Sequence, residues 1–200
     1  MKKKLIYLFL LLFFISGCSI FQTITNVKRL KFRLINAVNY NLAGVDLTNK
    51  KRLSDFSTIE TLKLTAAAAK GSLPLTFLLN VDAKNPNDGT GGYPKTDIAL
   101  KAFPYRLLIN DKETITGDIS HPLEVPGVGE STVIPLNINI DLMKFFKNKN
   151  YEDIVNLVLK LSNSGGSASN LKLYAKPVIA TPLGDLQYPD EITIVDNTFN

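Results

Sequence analysis

The sequence predicts a mainly β protein, a sandwich of antiparallel sheets with one to three short helices appended. Three observations carry that expectation. Some seven or more short stretches alternate apolar and polar side chains, turn residues punctuate them at fairly regular spacing, and few stretches show helical periodicity. The 200 residues suffice for one ordinary domain and are too few for a large multidomain machine.

The elements follow in order. Leu30, Phe32 and Leu34 alternate with Lys31, Arg33 and Ile35, a strand with one apolar and one largely basic face, and Val45 and Leu47 extend a second short piece after Gly44. Over Asp55 to Lys70 the period changes. Ser57 with Glu60 three residues later matches a capping box, Ile59, Leu62 and Ala66 fall on one helical face, and Gly71 is placed to end the helix. Leu73, Leu75, Phe77, Leu79, Val81 and Ala83 then share one face of the clearest strand, with Thr76 and Asn80 on the solvated side. Asn85-Pro86-Asn87-Asp88-Gly89 stops it in a rigid turn.

Ile98, Leu100 and Ala102 keep one phase, whereas Phe103, Tyr105, Leu107 and Ile109 take the other. That shift marks a bulge or bend, and Pro104 marks an edge strand or an unpaired position. Asn110-Asp111-Lys112 reads as a hairpin turn, followed by short pieces at Ile115 to Ile119 and Leu123 to Val125. Thr132 to Ile140 alternates cleanly, and Asp141 is placed to cap a brief helix through Phe146. Ile154, Leu157, Val158 and Leu161 have the spacing of an amphipathic helix. A Ser/Gly-rich loop over Ser162 to Asn170 precedes a last long strand from Leu171 to Ile179, where Pro177 predicts an edge, and Ile192 and Ile194 add a final extended piece.

The first segment is an address. Lys2, Lys3 and Lys4 precede an unbroken apolar run from Leu5 to Ile15, and Ser16, Gly17 and Cys18 follow at once, the layout of an export signal. Eleven residues are too few to cross about 30 Å of hydrocarbon comfortably. The tetrad Ile15-Ser16-Gly17-Cys18 resembles the lipobox of bacterial lipoproteins. That resemblance implies cleavage before Cys18, a diacylglycerol thioether on its sulfur and acylation of its new amino group, so the membrane is a partner through acyl chains. Residues 1–17 are then a signal peptide, 18–27 the lipidated cysteine and tether, and 28–196 one domain. Ser19 stands where an aspartate would resemble an inner-membrane retention signal, which leads to an outer-membrane expectation.

Several features in the body carry a family resemblance. The Gly44-Val45-Asp46-Leu47 segment comes first, then the long strand ending in Asn85-Pro86-Asn87, which resembles an NPN motif. The Phe103-Pro104-Tyr105-Arg106-Leu107-Leu108-Ile109 strand, Gly117 and the Val125-Pro126-Gly127 turn before Thr132 to Ile140 complete the order. Together they resemble the LEA type 2 or WHy (water stress and hypersensitive response) family, and most nearly its lipid-anchored members from Bacteroidetes-type bacteria, over roughly Lys28 to Asp185. The resemblance implies a fibronectin/immunoglobulin-like sandwich and a binding or protective role in desiccation-type stress, without an active site. A helix at Asp55 to Lys70 departs from a minimal domain of that family and reads as an insertion.

Chemistry is sparse. The balance of 23 Lys and Arg against 18 Asp and Glu falls to 20 against 18 once Lys2, Lys3 and Lys4 are removed, which is no nucleic-acid signature. One cysteine makes no internal disulfide, and one histidine builds no His-rich metal site. His121 lacks the surroundings of a catalytic base, and no Gly-x-Ser-x-Gly elbow exists. Asp82, Asp88, Asp97 and Asp118 lack the spacing of a calcium loop and read as solvated carboxylates. Gly89-Thr90-Gly91-Gly92 lacks the lysine of a phosphate loop, and Asn85 and Asn87 read as fasteners of their own turn. The expectation is therefore no enzyme, no cofactor and no metal. A structural or assembly role beside another envelope protein is the alternative to a binding or protective one.

Overall fold

The computed structural model describes residues 25–109, 111–127, 129–163, 171–181 and 184–194. The expected lipobox at Ile15, Ser16, Gly17 and Cys18 lies outside them, as do Asn110 and the Ser/Gly-rich stretch 164–170.

A helical turn over 25–28 leads into β1 (Lys31–Leu42). Then come β2 (Val45–Asp46), a 3-10 turn (Leu53–Asp55), α1 (Thr58–Ala69) and β3 (Pro74–Lys84). The chain continues through β4 (Ile98–Ala102), β5 (Tyr105–Ile109), β6 (Lys112–Gly117), β7 (Leu123–Val125) and β8 (Ser131–Asp141). Two helices, α2 (Leu142–Phe145) and α3 (Tyr151–Asn163), precede β9 (Leu171–Ala175), β10 (Val178–Thr181), β11 (Gly184–Gln187) and β12 (Ile192–Ile194).

The described strands form three antiparallel four-stranded sheets, ordered β2-β1-β3-β8, β11-β10-β4-β7 and β12-β9-β5-β6. The second and third share a strand order because each strand of one continues into the other. Phe103-Pro104 separates β4 from β5, and Lys176-Pro177 separates β9 from β10. Both breaks fall where proline has no N–H to donate, so the chain creases there without losing a ladder bond. Backbone hydrogen bonds from Lys176 N to Pro104 O (2.8 Å) and from Tyr188 N to Pro177 O (2.9 Å) close the crease. The phase shift at Ala102/Phe103 is thus a bend, and Pro104 occupies an unpaired position. Pro177 corrects the expectation of an edge: β9 and β10 both lie inside their sheets, and the proline sits in the break between them.

One buried cluster joins all three sheets and α3. Phe77 and Leu79 point into it, while Thr76 is exposed and the half-buried Asn80 donates to Asn36 Oδ1 at 2.8 Å on the opposite face. In β1 the inward set is Phe32, Leu34, Ala37, Tyr40 and Leu42, which strict alternation does not generate. Register shifts between Leu34/Asn36 and Val38/Asn41 reset the phase, and Asn39, at φ +59°, takes the left-handed conformation that asparagine tolerates best among non-glycine residues. Tyr40 is thereby turned inward and stacks on Phe77 with ring centroids 4.8 Å apart. Its hydroxyl has no hydrogen-bond partner among the described residues, and burial pushes its pKa up.

Helix α1 carries the expected caps. Ser57 Oγ accepts from Glu60 N, Glu60 Oε2 accepts from Ser57 N at 2.7 Å, and Gly71, at φ +75°, donates to Ala68 O while Ser72 N reaches Ala67 O, a Schellman ending. The face it buries is not the one its periodicity singles out: Leu64 is inside, whereas Ile59, Leu62 and Ala66 are exposed. Asp141 Oδ1 caps α2 through Met143 N and also accepts from Leu73 N at 2.9 Å, tying α2 to the start of β3. No described helix is long and apolar enough to cross a membrane.

Two substitutions on the stacked aromatic pair should separate. Phe77→Ala removes a buried ring and should cost about 3–5 kcal/mol. Tyr40→Phe removes only a hydroxyl without a partner and should leave stability unchanged or raise it by up to about 1 kcal/mol. Urea melts with a common slope would check both, and a clear loss for Tyr40→Phe would show that the hydroxyl has an acceptor.

Candidate functional site

Several polar side chains converge on the NPN turn, and Asn85 and Asn87 are fully buried there. Asn85 Nδ2 donates to Thr96 O at 2.7 Å and to Val125 O at 3.0 Å, and its Oδ1 accepts from Asn87 N (3.1 Å) and Asn87 Nδ2 (2.8 Å). Asn87 Nδ2 also donates to Asn26 O at 2.9 Å, and its Oδ1 accepts from Arg29 Nη1 at 2.9 Å. Every amide N–H of both side chains therefore has an acceptor. Thr96 N returns to Asn87 O at 3.1 Å, Asn26 Nδ2 reaches Thr96 Oγ1 at 3.2 Å, and the Arg29 guanidinium lies 3.6 Å above the Tyr93 ring. Asn26 Oδ1 is the one buried amide oxygen here without a described partner.

The neighbouring Pro126-Gly127 turn completes this clasp by close approach. A Cβ on Gly127 would stand 2.4 Å from Asn87 O and 2.6 Å from Thr96 O, both backbone atoms, so no other residue fits without moving the turn. Gly127 N donates to Asp97 Oδ1 at 2.8 Å. Tyr188 OH donates to Val27 O at 2.6 Å and fastens the C-terminal segment to the same N-terminal turn, beside a cluster in which Phe32 meets Phe103 at 5.4 Å. The bonds of Asn85 and Asn87 reach beyond their own turn. They join residues 26–29, 96 and 125.

The acidic residues are spent separately. Asp82 corrects the expectation of a solvated carboxylate: it is buried on β3 and pairs with Arg33 of β1, Oδ2 to Nη2 at 2.9 Å. The cross-strand pairing Arg33↔Asp82 sets the two side by side. Asp88 is exposed, and hydrogen bonds from the Thr90 hydroxyl and then from Thr90 N hold its carboxyl below the usual range. Asp97 serves Gly127, and Asp118 accepts from Phe103 N at the crease and, at 2.7 Å, from the adjacent Ile119 N. His121 is exposed, its Nδ1 2.9 Å from Ser120 Oγ. Among the described residues no three His, Cys, Asp or Glu side chains gather as a metal site.

An open groove of about 940 Å³ runs along α3, lined by Lys51, Lys149, Asp153, Asn156, Lys160 and Asn163. Asp153 is the one carboxylate among its described lining residues, and Asn163 is engaged with Lys50 O at 3.0 Å and Leu159 O at 2.7 Å. Among the described residues no nucleophile–base pair converges there. Sequence reading had no signal for this groove, because its residues come from two loops and one helix face.

No protein-family model matches the chain, and no curated protein matches it. Three solved structures resemble the chain distantly. A candidate late embryogenesis abundant (LEA) protein, known from a solution structure, shares 15% identity with a TM-score of 0.38, over 87% of this chain and 76% of its own. A protein from Arabidopsis thaliana shares 14% with a TM-score of 0.30, over 62% of this chain and 73% of that one. A crystal structure from Archaeoglobus fulgidus shares 14% with a TM-score of 0.33, over 59% and 85%. Superpositions this loose carry no functional argument.

The clasp generates a sharp expectation. Asn85→Ala should destabilise by about 2–4 kcal/mol, since it strips partners from two backbone carbonyls and from Asn87. Asn85→Asp should cost at least as much, because a carboxylate would then face Thr96 O and Val125 O. Gly127→Ala should fall in the same range, while Asp88→Asn should stay within about 0.5 kcal/mol. Urea midpoints of the four variants, measured side by side, check the order.

Proposed function

We propose that this protein is a lipid-anchored envelope lipoprotein that binds or shields a partner, with no reaction of its own, in desiccation-type stress. The observation that carries the reading is the apolar run from Leu5 to Ile15 ending in Ile15-Ser16-Gly17-Cys18. On it Cys18 is the acylated N-terminus, and Ser19 behind it favours the outer membrane. The ordered resemblance of these residues to the LEA type 2/WHy family supports the protective role. The matching strand orders across the proline crease support treating the three sheets as two layers of a fibronectin/immunoglobulin-like sandwich. The absence of a reaction is supported by where the candidate groups are spent: Asn85 and Asn87 on backbone, Asp82 on Arg33, and Asp88, Asp97 and Asp118 on turns.

A second reading, a structural or assembly partner of another envelope protein, is favoured by one observation. Ile59 and Leu62 on α1 are 70% and 69% exposed, far more than such side chains usually are.

Intact mass of the detergent-extracted protein should show loss of residues 1–17 and gain of acyl mass on Cys18, and Cys18→Ala should leave an uncleaved or unanchored chain with an unchanged fold. An unprocessed chain would overturn the anchor. Survival of a deletion strain under drying should be restored by His121→Ala and by Asp88→Asn at equal membrane abundance. Loss of rescue by either, with fold and anchor intact, would point to a reaction instead.

A further inference from the structure

The exposed face of α1 is inverted with respect to its own core. Leu64 faces inward, and on the opposite side Ile59, Leu62, Ala66 and Ala69 follow the i, i+3, i+7, i+10 spacing of a continuous helical stripe open to solvent. Lys63 and Lys70 line one flank of that stripe, and Thr58 and Thr65 line the other. Neither ammonium has an ionic partner among the described residues. The acids nearest the helix are already used: Asp55 accepts from Lys51 N and Arg52 N, and Glu60 is held by the Lys50 ammonium first and by Ser57 second, which lowers its pKa to about 2.

We propose that α1 is a docking helix that lays this stripe into an apolar groove of another protein, whose rim on the Lys63/Lys70 side carries carboxylates. Anchor residues at this spacing on one helix are the helix-in-groove pattern. The charge arrangement selects the occupant. A helix lying on an anionic lipid surface gains from cations on both sides of its apolar arc, whereas here one flank is cationic and the other is hydroxyl. An antiparallel pair of α1 helices from two copies would bring Lys63 and Lys70 of both copies to the same side, where they repel. The small Ala66 and Ala69 let a partner backbone come close. The proposal rests on the binding reading above and not on its lipid anchor.

The test places a photoreactive benzoylphenylalanine at Ile59, at Leu62 and, as a control on another side of α1, at Thr61 of the full chain in its own cells. The expected result is one cross-linked protein shared by Ile59 and Leu62, absent from Thr61, with the adduct mapped to a groove bearing Asp or Glu. Lys63→Glu with Lys70→Glu should cut the yield about tenfold, and charge reversal of the mapped acids should restore it. Cross-linking to phospholipid, to a second copy, to many proteins alike or to nothing overturns the proposal, as does a yield indifferent to the charge reversal. A second measurement guards the lipid alternative. The chain has no tryptophan, so Leu62→Trp gives a single reporter, and a blue shift in vesicles of phosphatidylcholine with phosphatidylglycerol would overturn docking to protein. Unchanged melting of Leu62→Asp confirms that the stripe is outside the core. Failure of the Cys18 mass measurement would leave all of these outcomes readable.

Discussion

Two hydrogen bonds from the side chain of Asn85 reach segments with which β3 forms no ladder, and two more tie it to Asn87 in its own turn. The carboxamide alone among short side chains offers two donors and an acceptor in a plane, and the turn uses all of them. Its acceptors are carbonyls of residues 96 and 125, so it binds the approach to β4 and the end of β7 to the end of β3. Asn87 extends the clasp to the N-terminal turn through Asn26 O. Buried, this network excludes water from carbonyls that would otherwise be stranded, and the cost of breaking it exceeds that of a surface turn.

The same end of the molecule holds the crease. Proline at positions 104 and 177 interrupts two adjacent interior strands at one level, and Phe103 fills the inside of the bend against Phe32. A flat four-stranded sheet of that length would leave one end of the core open. Folding it along the prolines wraps the core instead, and Asp118 satisfies the Phe103 N–H that the bend frees.

Much of this was legible in the residues. Capping chemistry is local, so the box of Ser57 and Glu60, the Gly71 ending and the Asp141 cap could be read before any fold was known. The long strands β3 and β8 were legible because strict alternation over 11 residues has one half-buried solution. The candidate site was half legible. Asn85-Pro86-Asn87 announced a turn, but its acceptors lie 11, 40 and 61 residues away in sequence, and nothing in the turn names them. Asp82 looked like its polar-face neighbours, and only the pairing of β1 with β3 set Arg33 beside it.

By itself, the sequence determined the β-rich class, the two long strands, the caps and the prolines' refusal to donate, since each depends on neighbours within a few positions. The tertiary structure alone decided which face of α1 is buried, that Tyr40 points inward past two register shifts, and that Pro177 marks a crease rather than an edge. Those outcomes depend on what packs against each element. Periodicity names two faces but never says which one finds a neighbour.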